Sequence, residues 1–188
     1  IVRILSEAFA PDHVSVVQGP GSTTVPPLLE RNRFDHIFFT GSARVGAQVM
    51  ALAAPRLTPV TLELGGKSPA IVDRKVDIRK AAERIAWSKY FNAGQTCIAV
   101  DHALVHRSVM EPFLKALKAS ILKFYGPDPQ RSPDPARLLN ADRFTKVKDY
   151  LQYGQVRVGG TTDEADRYIA PTVLTDVPLD SPPMMEEI

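Results

Sequence analysis

The sequence predicts an α/β fold in which part of a parallel sheet is followed by a second α/β unit. Short apolar runs alternate with segments of helical periodicity, which is typical of parallel sheets with crossover helices. The Gly65-Gly66 turn separates two such stretches. With 188 residues, of which 44% are hydrophobic and 23% charged, the chain has the composition of a soluble globular protein of one domain or one and a half. We therefore expect two parts, 1–64 and 65–188.

The first part alternates helix and strand. The compact apolar run His36–Phe39 is typical of a buried parallel strand. Ser42 can cap the helix that follows it, and Pro26-Pro27 stand near a helix start, where proline is tolerated. The expected elements are the end of a helix at 1–9, a strand at Val14–Val17, a helix at Val25–Arg31, a strand at His36–Phe39, a helix at Ser42–Arg56 and a strand at Val60–Leu64.

The second part continues the alternation. Asp77 can cap a helix, and a later helix would carry Phe113, Leu117 and Ile121 on one side. The segment Pro127–Pro135 holds four prolines and predicts an exposed loop. The expected strands are Pro69–Asp73, Ala103–His106 and Pro171–Leu174, and the expected helices are Asp77–Phe91, Ser108–Phe124 and Asn140–Tyr150.

Composition excludes several classes of function. The net charge of +2, without a basic run, argues against a nucleic-acid partner. One cysteine excludes an internal disulfide framework and a cysteine zinc site, and the four histidines show no ligand spacing, so we expect no metal. No apolar stretch reaches the roughly 18 residues that span a bilayer, and no signal peptide is visible. These features favour a cytoplasmic protein.

A glycine-containing loop, Thr40–Gly46, lies between a predicted buried strand and a helix. Open α/β sheets bind phosphates at this position, with helix N-terminal amides and backbone that lacks a Cβ. Only Gly41 and Gly46 are present, so the loop is not a GxGxxG motif. A nucleotide-binding loop and a plain strand-to-helix turn both fit the residues.

Two reactive side chains stand close to turns. Cys97 follows a helix end among polar and turn-forming residues, which favours an accessible thiol over a packed one. Glu63 ends an apolar strand, on the same face as Thr61 and just before two glycines. A carboxylate there suits a general base, although a solvated charge at a strand end is an equally open interpretation.

Together and in this order, these features resemble the aldehyde dehydrogenase superfamily. Phe39–Ser42, Glu63–Pro69 and Asn92–Cys97 match three internal motifs of that family. Ala170–Leu174 and Met185–Ile188 match the segment that leads into its Glu-Ile-Phe-Gly-Pro motif. The resemblance covers essentially the whole chain, and the residues around the motifs look most like the class 3, fatty-aldehyde-type branch.

The resemblance implies oxidation of a small-molecule aldehyde with NAD or NADP. It makes Cys97 the nucleophile, which would form a thiohemiacetal and then a thioester and whose backbone N–H would supply half of an oxyanion hole. It makes Glu63 the general base for hydrolysis, and Glu187 the residue that holds the nicotinamide ribose. The cofactor-binding residues that it implies are Gly41, Ser42, Ala43, Arg44, Val45, Gly46, Leu64, Gly65 and Glu187.

The resemblance also implies an aldehyde dehydrogenase fold truncated at both ends. Residues 1–64 would be the C-terminal part of a Rossmann-like NAD(P)-binding domain, and residues 65–188 a catalytic domain incomplete at its C-terminus. In the family, an oxyanion-hole asparagine and a ribose-binding lysine lie upstream, and a dimer-forming segment lies downstream. We therefore expect a homodimeric parent enzyme, any membrane anchor of the branch to be missing from this chain, and the 188 residues alone to be inactive or weakly active.

Two other hypotheses fit the residues. The chain could be a non-catalytic fragment or partner module of an aldehyde dehydrogenase. It could instead be a cysteine hydrolase that pairs Cys97 with a histidine, although no histidine stands in a motif-like setting.

Overall fold

A computed structural model describes residues 1–132 and 136–188. The chain forms two compact units, Ile1–Leu64 and Gly65–Ile188. Of the proline-rich loop predicted at Pro127–Pro135, Pro133 and Pro135 lie outside the described residues, and a 3-10 turn occupies Pro129–Arg131. Every helix in the described ranges is too short or too polar to cross a membrane.

The unit Ile1–Leu64 is built around a parallel pair of strands. A parallel pair requires a crossover connection, and the helix between the two strands provides it. Both strands and the helix lie where the sequence predicts them, to within a few residues. The elements are α1 (Val2–Ala8), α2 (Gly21–Arg31), β1 (Ile37–Gly41), α3 (Ala43–Ala53) and β2 (Val60–Leu64), with β1 pairing with β2.

Close packing of α3 on β2 depends on Gly46. A Cβ at this buried glycine would lie 3.0 Å from Leu64 Cδ2 and 3.4 Å from Leu62 Cδ1. Val49, one helical turn further on, is 2% exposed. The apolar face of β2 therefore meets α3, and the predicted alternation leaves Glu63 on the other face.

The strand predicted at Val14–Val17 is wrong. The segment has no regular secondary structure, and Val16 and Val17 are 40% and 60% exposed. β-Branched residues favour extended backbone, but a strand also needs a hydrogen-bonded neighbour. Among the described residues of this unit, the sheet contains β1 and β2 alone.

The helix predicted at Val25–Arg31 begins four residues earlier, at Gly21. The backbone N–H of Thr24 donates to Pro20 O over 3.0 Å and opens the first turn. Pro26 and Pro27 therefore lie inside the helix and not at its start. The carbonyls that lose a partner belong to exposed residues, so water can hydrogen-bond to them.

The unit Gly65–Ile188 has its core between a second parallel pair of strands and two long helices. Asp77 caps the first helix by accepting hydrogen bonds from the N–H groups of Arg79 and Lys80, both over 3.1 Å. Phe113, Leu117 and Ile121, which the sequence predicts to share one side of the second helix, are buried as expected. The elements are β3 (Pro69–Val72), α4 (Ile78–Tyr90), β4 (His102–Val105) and α5 (Met110–Tyr125), and the core residues are Val72, Ala82, Ala86, Phe113, Leu117 and Ile121.

The remainder of this unit is antiparallel. Asn140 caps a helix as predicted, accepting from Arg143 N over 2.8 Å. The strand expected at Pro171–Leu174 begins two residues later, and three further short strands accompany it, as the sequence of short strands and turns expected after Tyr150 predicts. The elements are α6 (Ala141–Asp149), β5 (Gln155–Val158), β6 (Thr162–Asp163), β7 (Tyr168–Ile169), β8 (Val173–Thr175) and α7 (Pro182–Met185), with β5 pairing with β8 and β6 with β7.

Candidate active site

The Thr40–Gly46 loop joins the carboxyl end of β1 to the N-terminus of α3. Ser42 caps the helix by accepting from Val45 N over 3.3 Å. Ala43 and Arg44 form the exposed first turn, whose N–H groups are directed out of the helix end. A Cβ at Gly41 would lie 2.5 Å from the Phe39 ring, so glycine lets this ring pack against the start of the loop. The arrangement can receive an anionic group such as a phosphate.

Glu63 lies at the same sheet edge as this loop. In the parallel register Thr40 is opposite Glu63, and Gly41 is opposite Leu64. Glu63 is exposed, and its neighbour on the same face, Thr61, contacts His36 Nε2 through its hydroxyl over 2.9 Å. The unit Ile1–Leu64 thus brings Glu63 and Leu64 beside the predicted cofactor loop.

Cys97 lies in a turn of the second unit, just after an unusual helix end. Asn92, Ala93 and Gly94 all have left-handed backbone, with φ of 52°, 55° and 76°. A turn then closes from Thr96 O to Ala99 N over 3.0 Å and places Cys97 at its first central position. The thiol is exposed, which confirms the accessible thiol predicted from its polar neighbours.

Gln95 anchors the segment that carries Cys97. Its side-chain nitrogen donates to Asn92 O and Arg137 O, both over 3.1 Å. Its side-chain oxygen accepts from Leu139 N over 2.9 Å. Reasoning from the sequence missed this anchor, because the partners at 137–139 are more than 40 residues away.

Gly65 and Glu187 come together although 121 residues separate them in the chain. A Cβ at Gly65 would overlap the Glu187 carboxylate, so only glycine permits this contact. Glu187 is half-buried. Two of the predicted cofactor-binding residues therefore form one feature of the unit Gly65–Ile188.

A charged cluster that the sequence did not reveal lies near this contact. Lys67 forms an ion pair with Asp101, and the two side chains are 25% and 4% exposed. Burial alone would raise the pKa of Asp101, but hydrogen bonds from Lys67 and His102 hold that pKa below its ordinary value. The carboxylate is therefore charged at neutral pH.

Lys89 is a second lysine of this region. Its pKa is lowered to about 8, chiefly by burial; Asp101 and Glu187 oppose this shift, and the charge of Lys67 adds to it. A Cβ at Gly94 would lie 3.1 Å from Lys89 Nζ, which places the amine against the turn that leads to Cys97. The same amine borders a mostly apolar cavity of about 450 Å³.

Two histidines of the second unit have ordinary side-chain partners. The ring of His102 contacts Asp101, and that of His106 contacts Ser108, each over 2.8 Å. In residues 1–132 and 136–188, no three His, Cys, Asp or Glu side chains are grouped so that they could hold a metal ion.

Known proteins resemble this chain along its full length. The model of the aldehyde dehydrogenase family matches residues 1–188. Human aldehyde dehydrogenase family 3 member B1 is 50% identical over 194 residues, which cover 100% of this chain and 41% of that protein. The 4,4'-diapolycopene-4,4'-dial dehydrogenase of Cytobacillus firmus is 46% identical over 99% of this chain and 41% of its own length.

A solved structure agrees with the same assignment. The NAD-dependent aldehyde dehydrogenase of Sinorhizobium meliloti superposes with a TM-score of 0.84 and 32% identity, over 99% of this chain and 39% of that one. The chain thus spans about two fifths of the length of the curated relatives it matches. By sequence and by fold, the chain belongs to the aldehyde dehydrogenase family.

Proposed function

We propose that the intact protein oxidises an aldehyde to a carboxylic acid with NAD+ or NADP+. The observation that carries the proposal is the exposed thiol of Cys97, at the first central position of a turn held by a strained and anchored loop. Strained backbone that its surroundings hold in place is common at catalytic residues. Water is the second substrate, and the reduced cofactor and one proton are the other products.

Cys97 is the proposed nucleophile. Its thiolate adds to the carbonyl carbon, and a C–S bond replaces the C=O π bond to give a thiohemiacetal. The backbone N–H of Cys97 supplies one donor to the oxygen that gains negative charge. Loss of a hydride from the same carbon leaves a thioester on Cys97.

Glu63 is the proposed general base of the second half of the reaction. Its carboxylate takes a proton from water as that water attacks the thioester carbon. The C–S bond breaks, the carboxylic acid leaves, and the Cys97 thiolate is regenerated. The exposure of Glu63 at the end of β2 supports this role, because a base that activates water must be reachable by water.

The nicotinamide cofactor supplies the hydride acceptor when it is bound. Its fit rests on two features of the chain: the exposed first turn of α3, and the Cβ-free contact between Gly65 and Glu187. We propose that Gly41, Ser42, Ala43 and Arg44 receive the pyrophosphate. Val45 and Gly46 support that loop from α3, and Leu64 lies beside it at the end of β2. Gly65 and Glu187 are the proposed cofactor contacts of the second unit, and Glu187 accepts hydrogen bonds from the nicotinamide ribose.

The two units receive different roles. We assign Ile1–Leu64 to the NAD(P)-binding domain and Gly65–Ile188 to the catalytic domain of a homodimeric enzyme. An apolar medium- to long-chain or aromatic aldehyde is the proposed substrate, supported by the resemblance to the class 3, fatty-aldehyde-type branch and by a relative named for a dialdehyde. Because Phe38 on β1 is 66% exposed, the sheet of the first unit is incompletely covered. We expect the 188 residues alone to be inactive or weakly active.

Rapid-mixing kinetics of the intact protein test the two roles separately. Glu63→Gln should form about one equivalent of NADH rapidly and then turn over slowly, because the thioester forms but is not hydrolysed. Cys97→Ala should abolish the burst and lower kcat by more than about a thousandfold. Glu30→Gln, an exposed carboxylate on α2, is the matched control and should behave as wild type.

Two outcomes would favour the other hypotheses. Ester hydrolysis that needs Cys97, without any aldehyde-dependent formation of NADH or NADPH, would identify a cysteine hydrolase. An intact protein that neither binds the cofactor nor oxidises aldehydes would be a non-catalytic member of the family. Either result would refute the proposed function.

A further inference from the structure

Lys67 uses its ammonium to join three segments of the unit Gly65–Ile188. The residue follows the Gly65-Gly66 turn directly. Its Nζ donates to Pro183 O and to Glu186 O, each over 2.8 Å, and pairs with the Asp101 carboxylate. A lysine ammonium has three donors, and these three partners use all of them.

One carbonyl, that of Pro183, belongs to the short helix α7, and the other, that of Glu186, directly follows this helix. The last carbonyls of a helix have no partner within the helix, and a cation at this end is favourable. Lys67 therefore fixes the backbone where α7 ends, one residue before Glu187. These hydrogen bonds are largely shielded from water, because the Lys67 side chain is only 25% exposed.

Asp101 holds the ammonium in place. Its side chain is 4% exposed, and Oδ1 accepts from Ser68 N over 3.1 Å. The backbone N–H of Asp101 donates in turn to Ser68 O over 3.3 Å. The turn that carries Gly65 and Lys67 is thereby tied to the start of β4.

The same turn provides the contact surface for Glu187. Gly65 stands two residues before Lys67, and the Glu187 carboxylate lies where a Cβ of Gly65 would be. Lys67 thus holds the backbone next to Glu187, while Gly65 limits where the carboxylate can lie. The position of Glu187 depends on both residues.

We propose that Lys67 is a positioning residue that sets the Glu187 carboxylate for the nicotinamide ribose. The inference rests on the proposed role of Glu187 in cofactor binding. Lys67 itself acts through the backbone at Pro183 and Glu186. Loss of its two carbonyl hydrogen bonds should free the segment 184–188 from the turn.

Lys146 offers a matched control. It pairs with the side chain of Glu186, but it does so from α6 and is 42% exposed. Exposed ion pairs contribute little to holding a backbone in place. Lys67→Met and Lys146→Met therefore remove the same type of side chain, the first from the backbone carbonyl of Glu186 and the second from its carboxylate.

The first test measures hydrogen exchange of the amides of 184–188 in the intact protein without cofactor. Lys67→Met should speed their exchange about tenfold or more, since charge-assisted hydrogen bonds are lost. Lys146→Met should change it less than about threefold. Lys67→Met/Asp101→Asn repeats the measurement without an orphaned buried charge, in case the single variant folds poorly. Unchanged exchange in both Lys67 variants would overturn the proposal.

The second test is a double-mutant cycle on the KM for NAD+. Lys67→Met and Glu187→Gln should each raise this KM about tenfold, and the double variant should lose little more, because both changes remove one interaction. If the two increases in KM multiply in the double variant, Lys67 does not act through Glu187. The positioning role is then refuted, while the role of Glu187 in binding NAD+ stands. A Glu187→Gln variant with the wild-type KM would instead refute the role of Glu187 itself.

Discussion

Replacing Gln95 by alanine should release the loop that carries Cys97. The substitution removes hydrogen bonds to Asn92 O, Arg137 O and Leu139 N at 3.1, 3.1 and 2.9 Å. A typical hydrogen bond contributes about 1 kcal/mol to stability. Leu139 is 77% exposed, so water can replace the third bond. We therefore expect the anchored loop to lose about 2 kcal/mol.

Backbone strain makes this loss visible in catalysis. Left-handed backbone costs a residue such as Ala93 about 1–2 kcal/mol, which the anchor offsets. Without Gln95 the loop should leave this conformation for part of the time, so Cys97 is misplaced but still exposed. Since 1.4 kcal/mol corresponds to a factor of ten, kcat should fall by roughly 10- to 100-fold.

Hydrogen exchange of residues 92–97 and steady-state kinetics of the intact protein provide the assay. Gln152→Ala changes an exposed glutamine of the same unit and should match wild type in both measurements. A small thiol reagent should label Cys97 in every variant, which verifies that the thiol stays accessible. Wild-type exchange and a kcat within about twofold in Gln95→Ala would refute the reasoning.

Two further predictions concern the helix cap and the buried amine. Ser42→Ala should destabilise α3 by about 1 kcal/mol, because Val45 N loses its partner; hydrogen exchange of α3 measures this, with Ser22→Ala as the exposed control. NMR titration of the Lys89 side chain should give a pKa of about 8. Because this value lies below the 10.5 of the unfolded chain, the cost of burying Lys89 is fully present below pH 8. The free energy of unfolding should therefore rise from pH 8 towards 10, and Lys89→Met should lose this rise.

Elements with local signals were predictable from the sequence. β1, α3 and β2 follow from an apolar run, a serine cap and an alternating strand, each contained in a few neighbouring residues. The same holds for the Asp77 cap of α4. Val14–Val17 shows the limit of such signals, since its composition favours a strand but no neighbouring strand pairs with it. Strand pairing depends on the fold of the whole unit, so the composition of four residues does not reveal it.

The motif residues of the candidate site could be named from the sequence, but the residues that hold them in place could not. Lys67 stands inside a motif, yet its partners are Asp101 and carbonyls more than 100 residues away. Gln95 likewise reaches Arg137 and Leu139. Hydrogen bonds of this kind have no period and no fixed spacing, so only the folded unit reveals them.

The register between β1 and β2 has a consequence for insertions and deletions. Thr40 faces Glu63 across the ladder, so the face on which Glu63 lies is fixed by pairing with β1. One residue added within Val60–Leu64 would shift the ladder by one position and turn the carboxylate toward α3. One residue added in the connection around Leu57, which is 89% exposed, would be absorbed by the loop. Length variation among related proteins should therefore gather in that connection and avoid the strand.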